Sequence, residues 1–421
     1  MIHSCLENIL RSSGRHIWII WLLLCLGTGI GRAQRLTVSG TVTDGSTGQP
    51  VGQASIAVPE WGVTVVTNDD GYFVLKTDSC PREIVVSHVG YNSRRWSLSD
   101  GATSRLKIRL QPAVVSLKEV VVFNEDPRAL VEAAIRKIPQ NYSNKPERYS
   151  CFYRETAMKR QHFISVAEGV VDMYKTAYRK GGSSSRDKVA IRKGRRLLSP
   201  KQSDTLSVKV LGGPVQSLIL DIVKNTDFLL NPADLDCYNM KMELPVSIND
   251  RSQYVVSIEP ALAMPYPLYY GKLYIDRETL AFTRAELSLD MSDREKATRF
   301  MLVSKPAGVR FRPKELSSLV DYRYEQGVTR ISYISNTFRF NCDWKRRLFA
   351  TSFTARCEMV VTSREDKTAD PISGRQSFDT RDAFFDKVDY FRDPDFWKDY
   401  NIIEPTESLD RAIERIVKKY K

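Results

Sequence analysis

Eight basic side chains crowd the stretch from Arg179 to Arg196: Arg179, Lys180, Arg186, Lys188, Arg192, Lys193, Arg195 and Arg196. Asp187 is the one acid among them, and Gly181-Gly182-Ser183-Ser184-Ser185 interrupts the run. A basic segment of this kind can cover phosphate or uronate groups, so Arg186, Lys188, Arg192, Lys193, Arg195 and Arg196 are the candidate anion-binding residues. The glycines and serines equally suit a solvated loop with no ligand, and composition leans that way.

The other residue types that carry chemistry are sparse or badly spaced. Beyond residue 33 there are two histidines, His88 and His162, and neither has Glu three positions on. A zinc peptidase needs that His-x-x-Glu pair and a further histidine, because imidazole and carboxylate must surround the metal while one position stays open. Asn68, Asp69 and Asp70 offer oxygens to calcium, but a hard cation takes six to eight of them, so a turn is the better reading. No Gly-x-Ser-x-Gly elbow, phosphate loop or dinucleotide fingerprint occurs. The expectation is a chain without catalytic residues, cofactor or metal.

The elements that would position these residues begin behind an export signal. Arg11 and Arg15 precede an apolar run from Ile17 to Ile30, and Gly31-Arg32-Ala33 offers a cleavage site, so residues 1–33 read as a removable signal peptide. The run is too short to span a bilayer. Cys25 follows Leu24 rather than a small residue, which disfavours lipidation. The full chain carries a net +13, and residues 34–421 hold 60 basic and 49 acidic side chains. That surplus suits anionic partners such as lipid or acidic glycan, with export making nucleic acid the poorest fit. Beyond the signal lie Cys80, Cys151, Cys237, Cys342 and Cys357, an odd number without C-x-x-C spacing; Cys342 and Cys357 either pair across neighbouring strands or stay as buried thiols.

Residues 34–122 alternate as half-buried strands, with turns every 8 to 12 residues or so, as in a small sandwich. Leu36, Val38 and Val42 share a face; Val63–Val66, Tyr72–Leu75, Ile84–Val86 and Leu106–Leu110 follow. The motifs Ser39-Gly40-Thr41-Val42-Thr43-Asp44, Thr47-Gly48-Gln49-Pro50-Val51, Thr67-Asn68-Asp69-Asp70-Gly71-Tyr72-Phe73 and Ser87-His88-Val89-Gly90-Tyr91 resemble the carboxypeptidase-regulatory-like domain. Leu117-Lys118-Glu119-Val120-Val121-Val122 is similar to the strand that leaves this domain in TonB-dependent outer-membrane receptors. The resemblance implies a transthyretin-like β-sandwich, an accessory module rather than the peptidase.

At 123–140 the period changes to 3.6: Asp126-Pro127 opens a connecting helix whose stripe Leu130, Val131, Ala134, Ile135, Ile138 ends at Pro139. Residues 141–375 read as a larger antiparallel β domain containing the basic loop 179–201, with strands expected at His162–Met173, Tyr254–Ile258, Tyr269–Ile275, Leu280–Leu289, Arg310–Arg312, Leu319–Tyr324, Val328–Phe340 and Leu348–Val361, and a helical stripe from Leu218 to Val223. Ala285, Leu287 and Leu289 oppose Arg284, Glu286 and Ser288, the signature of a one-sided sheet. The hairpin through Gly271-Lys272-Leu273-Tyr274-Ile275-Asp276 resembles those of periplasmic lipoprotein carriers, which implies a half-barrel with an acyl chain against Leu273, Ile275, Phe282, Leu287, Phe349 and Phe353. Residues 376–421 form a tail in which Asp382, Asp386, Asp389, Asp393, Asp395 and Asp399 punctuate aromatic residues before an amphipathic helix at Leu409–Val417; such a tail wraps a domain and buries its rings.

The sequence thus reads as a mainly β, exported protein, periplasmic, outer-membrane-associated or on the surface. Its expected function is non-catalytic binding or scaffolding toward an envelope protein, lipid or anionic glycan. A periplasmic lipid or lipoprotein carrier and a hydrolase with an unrecognised site are the alternatives.

Overall fold

The computed structural model describes residues 36–98, 104–113, 126–178, 186–201, 208–210, 212–345, 349–365, 369–379, 382–390, 393 and 395–418. The expected signal peptide, the strand at 117–122 and residues 179–185 of the basic segment lie outside them.

Seven short strands come first: β1 (Leu36–Asp44), β2 (Ser55–Val58), β3 (Val63–Val66), β4 (Tyr72–Thr77), β5 (Glu83–Ser87), β6 (Arg94–Ser97) and β7 (Leu106–Leu110). They make two sheets, β4-β1-β7 and β3-β2-β5-β6, with β1 and β7 parallel. The alternation seen in the sequence becomes burial: Val38, Val42, Ile56, Phe73, Leu75, Ile84, Val86 and Ile108 are all inaccessible to solvent. Turn chemistry fixes the register. Asp44 accepts from the amides of Ser46 and Thr47, both at 2.7 Å, and from Tyr91 Oη at 2.7 Å, and these bonds hold its carboxyl below the usual range. Gly71 has φ +73° and lies so close to β1 that a Cβ would stand 2.4 Å from Val42 O, so only glycine fits there.

Helix α1 (Pro127–Asn141) begins as the sequence indicates, with Asp126 accepting from Arg128 N at 3.1 Å and Pro127 in the first turn. It runs two residues past Pro139, because a proline in the last turn removes one backbone donor and leaves the rest of the ladder intact.

The larger part follows: β8 (Glu147–Lys159), β9 (His162–Lys175), β10 (Lys188–Leu198), β11 (Lys209–Val210), α2 (Pro214–Ile219), α3 (Thr226–Leu229), a 3₁₀ turn (Pro232–Cys237), β12 (Tyr238–Ile248), β13 (Arg251–Pro260), β14 (Tyr269–Asp276), β15 (Phe282–Leu289), α4 (Arg294–Met301), β16 (Leu302–Ser304), β17 (Val309–Glu325), β18 (Val328–Trp344), β19 (Thr351–Arg364), β20 (Asp389–Tyr390) and α5 (Glu407–Val417). Among the described residues, eleven strands join in one sheet, ordered β12-β13-β14-β15-β17-β18-β19-β8-β9-β10-β20, antiparallel except for the short β10–β20 pair.

Several expectations change here. From Lys188 the basic segment is not a loop but strand β10, paired along β9, with Val189 buried in the main core and Leu197 against the C-terminal helix. The stretches 310–312 and 319–324 are one continuous strand, β17, which absorbs Pro313 by a register shift between Pro313 and Glu315. The helix expected through Val223 stops at Ile219, where Ile222 and Val223 are buried in turns instead. Cys342 and Cys357 are free thiols: Cys342 stands opposite Thr351 and Cys357 opposite Asn336, six positions apart along β18, too far for a disulfide.

Candidate functional site

In an antiparallel sheet, directly opposed residues point to the same side, so the registers give the contents of each face. One row runs Val256, Leu273, Ala285, Val320, Ile334, Met359, Tyr153 from β13 to β8, all buried in one apolar core. Side chains from α1, α4 and the 214–235 segment fill that core from above, including Val131, Leu218, Leu230 and Met301. At its far end the row reaches Gly169 and Gly194, which leave room for the tail: a Cβ on Gly169 would stand 2.7 Å from the Phe384 ring, and one on Gly194 2.3 Å from Val388. The residues expected to line an acyl groove belong here. Leu273, Ile275, Phe282, Leu287 and Phe353 are packed in the core, and Phe349, 78 % exposed, lies outside it.

The opposite face is different. One row reads Lys241, Ser257, Lys272, Glu286, Leu319, Ser335, Glu358, Arg154, Glu168, Arg195 from β12 to β10. The next reads Tyr270, Ser288, Ser317, Thr337, Arg356, Thr156. A third, on the other side of the first, reads Arg284, Asp321, Tyr333, Val360, Phe152, and it carries the sandwich: Val66 packs with Tyr333, Val360 and Phe152. The sandwich therefore covers one strip of this face and leaves the polar rows beside it open.

What remains is a groove of about 740 Å³, walled by Gln53 and Asp69 of the sandwich and floored by Lys241, Ser257, Tyr270, Lys272, Glu286, Ser288, Ser317, Ser335, Thr337 and Arg356. Its charges balance, four cations (Lys241, Lys272, Arg284, Arg356) against four acids (Asp69, Glu243, Glu259, Glu286), and hydroxyls fill the space between. Arg356, held by Asp69 at 2.7 Å and Glu358 at 2.9 Å, separates it from a second hollow of about 610 Å³ that reaches Arg339, His162 and α5. The turn weighed above for calcium is thus employed otherwise: Asp69 pairs with Arg356, Asp70 accepts from Glu407 N at 2.7 Å, and Asn68 donates to Pro405 O at 2.9 Å.

The candidate anion-binding residues are spread over strand β10 and largely engaged. Arg195 pairs with buried Glu168 at 3.0 Å and stacks on Trp397 at 5.1 Å. Lys193 donates to Phe396 O at 2.8 Å and sits 3.9 Å over that ring. Arg196 donates to Phe385 O at 2.6 Å between the Phe385 and Tyr390 rings, and Arg192 pairs with Asp172. Lys188 opens the strand, and Arg186 stands exposed just before it. The acids that answer these cations come from β9 and the tail, at separations that no local pattern reveals.

No catalytic constellation gathers among the described residues. His88 has Nδ1 2.9 Å from Val89 O and its ring edge-on to Tyr91; burial first, and then Arg284, lower its pKa to about 4. His162 is exposed at the start of β9. Two buried polar clusters that sequence reasoning missed are structural. Burial alone would lower Lys175, but Asp221 at 2.8 Å and Asp187 at 3.1 Å push it up to about 12, while Tyr178 and Tyr322 donate to the same Asp221. Glu155 accepts from Tyr153 Oη at 2.6 Å and Gly213 N at 2.9 Å beside Cys357, whose thiol burial pushes far up, so it stays protonated and inert. No group of three metal-ligating side chains occurs among the described residues, and none of their helices is long and apolar enough to cross a membrane.

Comparison with known proteins agrees with the front of the chain. Residues 38–122 match the model of the CarboxypepD_reg-like domain. No curated protein matches the chain. Among solved structures, MucB in complex with MucA(peri) is 13 % identical with a TM-score of 0.18, the match covering 58 % of this chain and all of that one. An outer membrane lipoprotein-sorting protein domain from Vibrio parahaemolyticus is 10 % identical with a TM-score of 0.29, covering 59 % of this chain and 96 % of that one. Likenesses this slight assign neither ligand nor activity to the present chain.

Proposed function

We propose that this chain is a non-catalytic binding protein of the cell envelope, which holds a polar, extended ligand across the open rows of its long sheet. The observation that carries the reading is the contrast between faces: the apolar one is filled by the protein's own side chains, whereas the polar one keeps a 740 Å³ groove beside the sandwich. Backbone groups in the sheet interior are already paired, so the ligand meets side chains alone. Balanced fixed charge and close-set hydroxyls suit a neutral or zwitterionic molecule better than a polyanion. The carboxypeptidase-regulatory-like module serves as a wall and spacer for that groove, through Gln53 and Asp69. The cations of β10 lie outside this groove, and most of them already have partners within the chain.

Native mass spectrometry of the protein purified from its own envelope tests this. A co-purified polar adduct of defined mass supports the reading. An acyl-lipid adduct would replace it with the carrier reading, and turnover of a substrate abolished by one side-chain replacement would replace it with the hydrolase.

A further inference from the structure

From Pro260, where β13 ends, to Gly271, early in β14, twelve residues pass without a charged side chain: Pro-Ala-Leu-Ala-Met-Pro-Tyr-Pro-Leu-Tyr-Tyr-Gly. Both ends of this loop are tied down. Ala261 N donates to Cys237 O at 2.7 Å, and Leu268 O accepts from Asp290 N at 2.8 Å. Leu268 and Tyr269 are buried, the Tyr269 ring 5.0 Å from Phe228 and 6.2 Å from Phe300. Pro265 and Pro267 restrict the backbone between these anchors. Yet Leu262 is 55 % exposed and Tyr266 and Tyr270 are each 48 % exposed. A loop that is fixed in shape and holds its large side chains in water is built to meet something apolar.

We infer that this loop is a shallow membrane-surface contact, in which Leu262 enters the acyl boundary while Tyr266 and Tyr270 lie at the level of the lipid headgroups. Size favours lipid over protein. Half of one leucine and two tyrosines offers on the order of 300 Å², far below the roughly 800 Å² per partner that a stable protein interface buries. Charge favours it too: the surrounding side chains are of both signs, Lys241 and Lys272 against Glu259 and Asp234, the last of which acts on Tyr266. No field of one sign steers a charged partner, whereas insertion of apolar side chains requires none. Tyr270 also floors the groove, but Leu262 and Tyr266, the two side chains that the test replaces, do not line it, so the test of the loop is separate from that of the groove.

The test is co-sedimentation of the exported chain, as purified from its own cells, with vesicles of phosphatidylcholine alone and of phosphatidylcholine mixed with phosphatidylglycerol, each at low and high NaCl. The expected result is comparable binding to both, unchanged by salt, and lowered at least about tenfold by Leu262→Asp combined with Tyr266→Asp. Both side chains are exposed, so the thermal unfolding midpoint of the double variant stays at the wild-type value. Tyr266→Trp adds a direct reading: its emission moves to the blue when phosphatidylcholine vesicles are added. Absence of binding, binding retained by the double variant, or binding that needs phosphatidylglycerol and vanishes in salt would overturn the inference. So would a dimer that the double variant abolishes, which would give the loop to a second copy of the chain.

Discussion

The two faces of the eleven-stranded sheet are built from the same strands, alternate residue by alternate residue, and come to opposite ends. On one, Leu273, Ala285, Val320, Ile334 and Met359 meet the helices and close a core. On the other, Lys272, Glu286, Ser335, Ser288, Ser317 and Thr337 stand in open rows beside the sandwich. A one-residue register slip would exchange them, so whatever fixes register also fixes which face is a core and which is a groove. The difference also separates two kinds of residue: inner ones whose loss should cost stability, and outer ones that under the proposed function would contact the ligand.

The largest expected effect comes from the inner face. Phe340 is fully buried, 4.9 Å from the Phe311 ring and 5.8 Å from that of Phe353, and Phe340→Ala should lower unfolding free energy by about 3–5 kcal/mol in urea titration. A loss under about 1 kcal/mol would mean that this face is not a packed core. Next comes the end of the polar row where the tail closes over it. Glu168 there takes Arg154 at 2.7 Å, Arg195 at 3.0 Å and Trp397 Nε1 at 2.9 Å; burial alone would raise its carboxyl, but these partners hold it below the usual range. Glu168→Gln should cost about 3 kcal/mol, since the buried Arg154 and the partly buried Arg195 guanidinium groups lose their counter-charge. Near-wild-type stability would show that the tail does not seal this end.

Gly271 tests the register itself. Its φ is +152° and a Cβ would stand 1.9 Å from Glu286 O, so Gly271→Ala should cost about 2 kcal/mol or more and loosen the β14–β15 pairing, measured by amide exchange along Phe282–Leu289. His88 tests the junction between sandwich and sheet. Because its pKa falls from 6.5 to about 4 in the fold, the unfolded chain takes up a proton first. Its contribution is complete above pH 6.5, fades as pH drops toward 4, and amounts to about 2 kcal/mol once residual solvent contact is allowed for. His88→Asn should flatten that part of the stability–pH curve, and an unchanged slope would place the titration elsewhere.

How much of this was legible depends on how local the cause is. The sandwich could be read because its determinants are neighbours in sequence: Asp44 capping its own turn, Gly71 after Asn68-Asp69-Asp70, apolar residues at every second position. The hairpin β14–β15 and its two faces could be read for the same reason. The groove could not, because its floor is assembled from β12 to β19, and only the registers place Ser257 beside Lys272 and Ser317 beside Thr337. Pro313 concealed the unity of β17, and the basic run looked unpartnered because Glu168 and Phe396 reach Arg195 and Lys193 across 27 and 203 residues. In the tail Phe384 and Trp397 are buried while Tyr390 is exposed, and Leu409, Ile413 and Ile416 pack on Val166 and Leu197.

The most direct test fills the groove without touching the core. Thr337 lies in the open rows, and Thr337→Trp puts a large ring where the ligand would lie, with a change in unfolding free energy of only about 0.5 kcal/mol. Wild-type protein purified from its envelope should carry a polar adduct in native mass spectrometry, and Thr337→Trp, equally folded, should arrive bare. An adduct that persists undiminished in Thr337→Trp would contradict the assignment of function to this face.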